Sequence, residues 1–249
     1  MSGLSVDTEG HIFVLDYDNA RITKWSPGAA LGSIIVGGNG LGSNLNQLSR
    51  PNGMFVGRNT PLTIWIADTY NHRIVKWTSP ATYVIVCEGY GSEADQFSYP
   101  GGVFVDESSS NTLYVANTYN HRIQMWLPGA TNGTTVAGQT GIFGNGNDKL
   151  NCPVALVVDT NGIMFIADSV NVRIVKWIIG SSFGEVIASY PAFGMEPNGF
   201  PAATDLAFDS AGSLFVSDNP YSRIQKFQIT CHEYRSQCSF SSYYFYCLF

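Results

Sequence analysis

The sequence predicts an all-β protein, a β-propeller of four-stranded antiparallel blades, and three observations lead there. An acid or amide, a tight turn, an arginine–isoleucine pair and an aromatic recur five times, in the segments 16–25, 68–77, 117–126, 168–177 and 218–227. The arginines of these segments stand 49 to 52 residues apart, a period that marks a repeat architecture. Every unit also holds four short apolar runs bounded by turn residues, none long enough for a helix.

The first run of a unit, such as Met54–Val56, Val103–Val105 or Leu156–Val158, is apolar without alternation, as an inner strand covered on both faces requires. It ends in an acid and usually a glycine, at 7–10, 159–162 and 209–212, which suits a tight hairpin; Gly57 and Arg58 replace the acid in the second unit and predict a longer turn. The second run, Thr112–Ala116 in the third unit, ends at an Asp-x-x-Asn turn, with Asn117 in place of the Asp in that unit, whose side chains bond their own backbone and whose Asn tolerates left-handed geometry. The third run begins at the arginine and closes on the aromatic, and the fourth, Thr134–Ala137 in the third unit, completes a meander of three hairpins. Units fall at about 1–51, 52–100, 101–153, 154–202 and 203–230, which fits a five-bladed ring or a truncated six-bladed one. The tail 231–249, dense in Cys, Tyr, Phe and Ser, departs from the pattern and is expected to supply the last outer strand.

A residue present in every unit reads as framework, because a catalytic site needs single copies of unlike groups. The framework set is Asp16, Arg21 and Trp25; Asp68, Arg73 and Trp77; Asn117, Arg122 and Trp126; Asp168, Arg173 and Trp177; and Asp218, Arg223 and Phe227. Each acid is expected to pair with its arginine across the turn in a buried setting, with Asn117 a neutral substitute.

The chain has 249 residues, 45% of them apolar, enough for one large domain with its own core. Its longest apolar stretches fall far short of the roughly 20 residues of a spanning helix, and no basic-then-apolar leader opens it, so the body reads as soluble, with its compartment open. The net charge is -6. Nine of the 13 basic residues belong to the recurring unit and eight of the 19 acids head its turns, so that eleven acids remain against four bases. That balance disfavours a phosphate-binding footprint, and nucleic acid is not expected as a partner. The five cysteines form no disulfide framework, and Cys87 reads as a small core residue.

Function is therefore sought where the repeats disagree. The connections 37–52, 88–101, 138–153 and 189–203 are long and dissimilar, and they emerge on the same face as the hairpin tips. Tyr70, His72, Tyr119 and His121 at the tips of units two and three, with Glu93 and Asp95 in the loop between them, form the candidate binding patch. Aligning the inner strands sets Gly3, Gly53, Gly102, Ala155 and Asp205 in equivalent places, so Asp205 puts a carboxylate where the other units have almost no side chain. The glycines at 38, 40 and 42 do not open a helix and so lack the mechanism of a phosphate loop. No set of residues calls for a catalytic centre, a metal or a cofactor.

The string Tyr-Val-Ala-Asn-Thr-Tyr-Asn-His-Arg-Ile at 114–123, nearly repeated at 65–74, resembles the consensus of NHL repeats over residues 1 to about 230, and the spacing of Leu48 to Pro51 and Leu150 to Pro153 is similar to that family's lead into its inner strand. The resemblance implies a propeller, most often six-bladed, that serves as a non-catalytic scaffold for a protein partner, read here as monomeric. Two alternatives stand beside it. NHL-like propellers include a zinc-dependent peptidyl-hydroxyglycine lyase and resemble calcium lactonases, which would place a metal-dependent channel site near Asp205. Some bind RNA on the loop face, which the acidic balance disfavours.

Overall fold

A computed structural model describes residues 2–189, 203–218, 223–231 and 238–246, the part beyond residue 228 by its backbone. The first blade comprises β1 (Gly3–Val6), β2 (Ile12–Asp16), β3 (Arg21–Trp25) and β4 (Ser33–Gly37). The second holds β5 (Gly53–Val56), β6 (Thr63–Asp68), β7 (Arg73–Thr78) and β8 (Thr82–Glu88). The third runs through β9 (Pro100–Asp106), β10 (Thr112–Asn117), β11 (Arg122–Trp126) and β12 (Thr134–Gly138). In the fourth lie β13 (Pro153–Val158), β14 (Ile163–Asp168), β15 (Arg173–Ile178) and β16 (Glu185–Ser189). The fifth has β17 (Ala203–Phe208), β18 (Leu214–Asp218), β19 (Arg223–Cys231) and β20 (Cys238–Tyr246), the last drawn from the tail and paired with β19 from Arg223–Tyr246 to Cys231–Cys238. Each sheet keeps chain order, and the five form a five-bladed β-propeller.

Local chemistry builds the hairpins. The carboxylates of Asp7, Asp159 and Asp209 accept N–H groups from two and four residues ahead, which closes the first turn of their blades, with Gly10, Gly162 and Gly212 in left-handed geometry. At the second turn His72 and His121 take the left-handed position after single 3-10 turns at Thr69–Asn71 and Thr118–Asn120. A β-bulge follows the same isoleucine, Ile22, Ile74, Ile123 or Ile174, in the first four blades and increases the twist of the outer strand.

Every blade has a leading face toward the next blade and a trailing face toward the one before. Phe13, Leu15 and Ile22 lead onto Val56, Ile64 and Ile66. Trp65 and Ile74 then lead onto Val105 and Val115, Tyr114 and Ile123 onto Leu156 and Ile166, and Phe165 and Ile174 onto Leu206 and Val216. Among the described residues no core cluster joins the fifth blade to the first. The inner strands crowd the axis: a Cβ at Gly53 would collide with the carbonyl of Gly101, and one at Gly102 would lie 2.8 Å from the Cα of Ala155. No helix among the described residues is long and apolar enough to cross a membrane.

The expectation of buried acid–arginine pairs holds in three blades and needs correction in the first. Arg73–Asp68 at 2.7 Å, Arg173–Asp168 at 2.7 Å and Arg223–Asp218 at 2.8 Å are buried, whereas Arg21–Asp16 at 3.1 Å is half-exposed. Arg73 and Arg173 are covered by the loop that leads into their own blade; no such loop crosses Arg21 among the described residues.

Candidate functional site

The loop face is assembled by the recurring polar residues. Asp68 Oδ1 accepts the N–H of Ser49 at 2.6 Å, while the guanidinium of Arg73 donates to the carbonyls of Ser43, Asn44 and Gln47. Asp168 and Arg173 repeat this on Asn151 and on the carbonyls of Asn145, Gly146 and Lys149. In the third blade Asn117 accepts from Ser98, and Arg122 donates to the carbonyls of Glu93 and Gln96. The tips also bond these loops through backbone, Tyr70 N–H to Ser49 and Tyr119 N–H to Ser98. Each of these three long loops is thus fastened beneath the hairpin tip of the blade that it enters.

A second fastening runs from tip to following loop. Arg50, Tyr99 and Cys152 each precede the proline or Pro-led strand that opens a blade, and each has a left-handed φ, at 45°, 48° and 52°. Non-glycine residues are uncommon there, and such conformations concentrate where the surroundings over-determine them. Part of that determination is visible: the Nδ1 atoms of His72 and His121 accept the N–H groups of Tyr99 and Cys152, at 3.2 and 3.1 Å. Burial lowers the pKa of both rings, which favours the neutral imidazole that this acceptance needs.

These fastenings array side chains in a continuous row across the first three blades. The Arg50 guanidinium lies 5.8 Å from the Tyr17 ring and 5.2 Å from that of Tyr70. Tyr70 packs edge-on against Tyr99 at 5.3 Å, and Tyr99 meets Tyr119 at 5.0 Å. His72 backs the row, 4.5 Å from Tyr99 and 4.7 Å from Tyr90. Tyr70 and Tyr119 are 45% and 57% exposed, so the row faces solvent.

Of the sequence candidates, Tyr70, His72 and Tyr119 therefore lie together, joined by Tyr99. His121, on the same tip as Tyr119, faces the following loop instead, against Phe143 at 5.4 Å. Glu93 and Asp95 are exposed in a loop held through its carbonyls: Arg122 takes that of Glu93, Gln124 that of Ala94, and the Cys87 thiol that of Asp95. Among the described residues no hydrogen bond or ring contact links these two acids to the tyrosines. Cys87 is half-buried, and burial pushes its thiol up to about 12. Sequence reasoning missed Tyr17, Arg50, Tyr90 and Tyr99; the signal available for two of them was a large side chain immediately before Pro51 and Pro100. The loop 189–203 falls almost wholly outside the described residues.

Asp205 occupies a different place. It lines the central channel with Ser2, Gly3, Asn52, Gly53 and Thr204 around a cavity of about 30 Å³. Its side chain is open to the channel, while protein atoms crowd around the carboxylate. That desolvation pushes its pKa up to about 6, against the opposing pull of the Leu206 N–H at 2.9 Å. Elsewhere, Asp7, Glu9 and His11 gather in the β1–β2 turn, where the hydrogen bonds that close the hairpin account for them.

No family model and no curated protein sequence matches the chain. Solved structures do. Virginiamycin B lyase from Staphylococcus aureus is 14% identical with a TM-score of 0.58, covering 96% of this chain and 68% of its own. A chain of the nidogen/laminin complex is 16% identical with a TM-score of 0.67, covering 91% and 74%. A gluconolactonase from Xanthomonas campestris is 10% identical with a TM-score of 0.68, covering 96% and 73%. At these identities the likeness is one of fold, and it joins this chain to β-propellers that include both enzymes and a component of a protein complex.

Proposed function

We propose that this chain is a binding module, built of NHL-type repeats, that holds a protein partner against its loop face. The observation that carries this reading is the row of exposed Arg50, Tyr70 and Tyr119 with half-buried Tyr17 and Tyr99 between and beside them. Tyrosine and arginine are the residues in which interface energy concentrates, because they offer large contact area with polar ends. Here the fastened loops and neighbouring rings hold them in place, so less side-chain freedom is lost on association. The test compares the proteins retained from a cell extract by the wild type, by Tyr70→Ser/Tyr119→Ser, and by Leu127→Ser, an exposed control outside the row. Partners kept by the control and lost by the double variant support the reading; an identical set at equal yield on all three sinks it.

A metal-dependent enzyme is the second reading, favoured by Asp205 in the channel. The residues there do not fit it well: Asp205 is the one ionisable group lining the channel among the described residues, and a metal site needs several converging donors. Metal analysis of the purified chain decides, since one retained zinc or calcium ion per chain would place this reading first.

A further inference from the structure

The residues of the tyrosine row differ in how far they stand out. Tyr70 and Tyr119, at the tips of the second and third blades, are 45% and 57% exposed, while Tyr99 between them is half-buried. Tyr99 thus floors a slot whose walls are the two tip rings, 5.3 and 5.0 Å from it. The rings meet at 87° and 53°, so neither contact brings two faces parallel and the surface is ridged rather than flat. On the other side of Tyr70 stands Arg50, exposed, with its guanidinium near the rings of Tyr17 and Tyr70. Among the described residues no carboxylate pairs with it.

The backbone donors beneath this row are already used. The N–H groups of Tyr70 and Tyr119 go to the carbonyls of Ser49 and Ser98, and that of Tyr99 goes to His72 Nδ1. A strand added to a sheet edge needs a run of free N–H and C=O groups, which the row does not offer. A helix laid into a groove needs an apolar channel, whereas every ring here carries a hydroxyl. What the row offers a polypeptide is ring surface for apolar groups and phenol O–H donors for carbonyls. A polyproline II helix matches both, because its prolines present compact apolar rings and its carbonyls, free of internal hydrogen bonds, are open to accept. Its pitch matches as well. Tyr70 lies 5.3 Å from Tyr99 and 5.2 Å from Arg50, so one polyproline II turn, three residues over about 9 Å, carries a chain from the slot to the guanidinium.

Building on the binding-module reading, we propose that the row takes a proline-rich segment of the partner in polyproline II form, with a proline seated over Tyr99 between Tyr70 and Tyr119 and an acidic residue three positions away on Arg50. The fastened loops suit such a ligand, since a preformed helix meets a preformed slot and little freedom is lost on either side. Nucleic acid fits less well, because Arg50 is the single cation of the row.

The test selects random dodecapeptides, displayed on phage, on the whole chain. A proline and an Asp or Glu three positions apart, in one order or the other, should be enriched about tenfold or more over the starting library, and selection on Tyr70→Ser/Tyr119→Ser should not enrich them. The most enriched peptide, synthesised and followed by fluorescence anisotropy, should lose about tenfold or more in affinity when its proline is changed to alanine. Exchanging its acid for lysine should weaken binding to the wild type and strengthen binding to Arg50→Glu, a gain that also shows this variant to be folded. The proposal is overturned by a pool without that spacing, by the same pool from the double variant, or by an acid whose exchange has the same effect on Arg50→Glu as on the wild type. It is equally overturned if a mixed RNA at moderate ionic strength, and no peptide, is held by the wild type and lost by the double variant. Should the peptides fail while the extract comparison still finds proteins that the double variant loses, the binding-module reading stands and only its proline-rich partner falls.

Discussion

At the scale of single residues, the same pair of side chains has different worth in different blades, and burial decides which. The Arg73 and Asp68 side chains are 4% and 0% exposed, against 37% and 23% for Arg21 and Asp16. Removing Arg73 leaves the buried Asp68 carboxylate without its counter-charge and three loop carbonyls without their donor, so Arg73→Ala is expected to cost about 3 to 5 kcal/mol in urea titration. Arg21→Ala is expected to cost about 0 to 1 kcal/mol by the same measurement, because water solvates what is left. Blade three shows the complementary case. Asn117 replaces the acid, its amide donates to Gln124 Oε1 at 2.7 Å, and the buried Arg122 Nε is left without a partner. Changing Asn117→Asp together with Gln124→Val reproduces the chemistry of blades two and four and should raise stability by about 1 kcal/mol. A lower midpoint in the double variant would show that desolvating the new carboxylate outweighs its bond to Arg122.

At the scale of elements, what fastens one blade's tip to the next blade's loop is an uncharged imidazole. Ala20 and Val172 take the same left-handed tip position as His72 and His121, so the backbone does not require histidine there. What histidine adds is an acceptor for the N–H of Tyr99 or Cys152. Since the folded pKa lies below the ordinary value near 6.5, the contribution is complete above that value and is lost as pH falls from it toward the lowered one. Urea midpoints at pH 7.5 and pH 5 should therefore differ, and His72→Ala/His121→Ala should flatten the difference while lowering stability at the higher pH. Asp205 has the opposite sign: raised to about 6, it adds stability as pH falls through that value, so the comparison is cleanest in an Asp205→Asn background. These roles mark how far the sequence could be read. Hairpins were legible because aspartate, asparagine and glycine bond or bend locally. The aromatic row was legible only at Tyr70 and Tyr119, because the placement of Tyr99 and Arg50 depends on left-handed loop residues held by a neighbouring blade.

At the scale of the whole molecule, a repeat sequence specifies a blade with two apolar faces and is silent on whether a neighbour covers each. That is why the period of the arginines made the propeller legible, while the contrast between Ile174 and Ile224 was not: both follow an arginine in the same grammar, and one is fully buried while the other is 39% exposed. Stability in such a chain is close to a sum of blade terms and nearest-neighbour interface terms, so the end blades, each with one covered face, should be the weakest. Ile174→Ala opens a cavity between blades four and five and is expected to cost about 2 to 5 kcal/mol, whereas Ile224→Ala, at an uncovered face, should cost well under half of that. Native-state hydrogen exchange reads the same gradient without mutation. Amides of β6, β10 and β14 should exchange only through the largest openings, and those of β2 and β18 through smaller ones. Uniform protection across all five blades would mean that the other face of each end blade is covered in solution, because only a neighbour at both ends removes the difference between an end blade and a middle one.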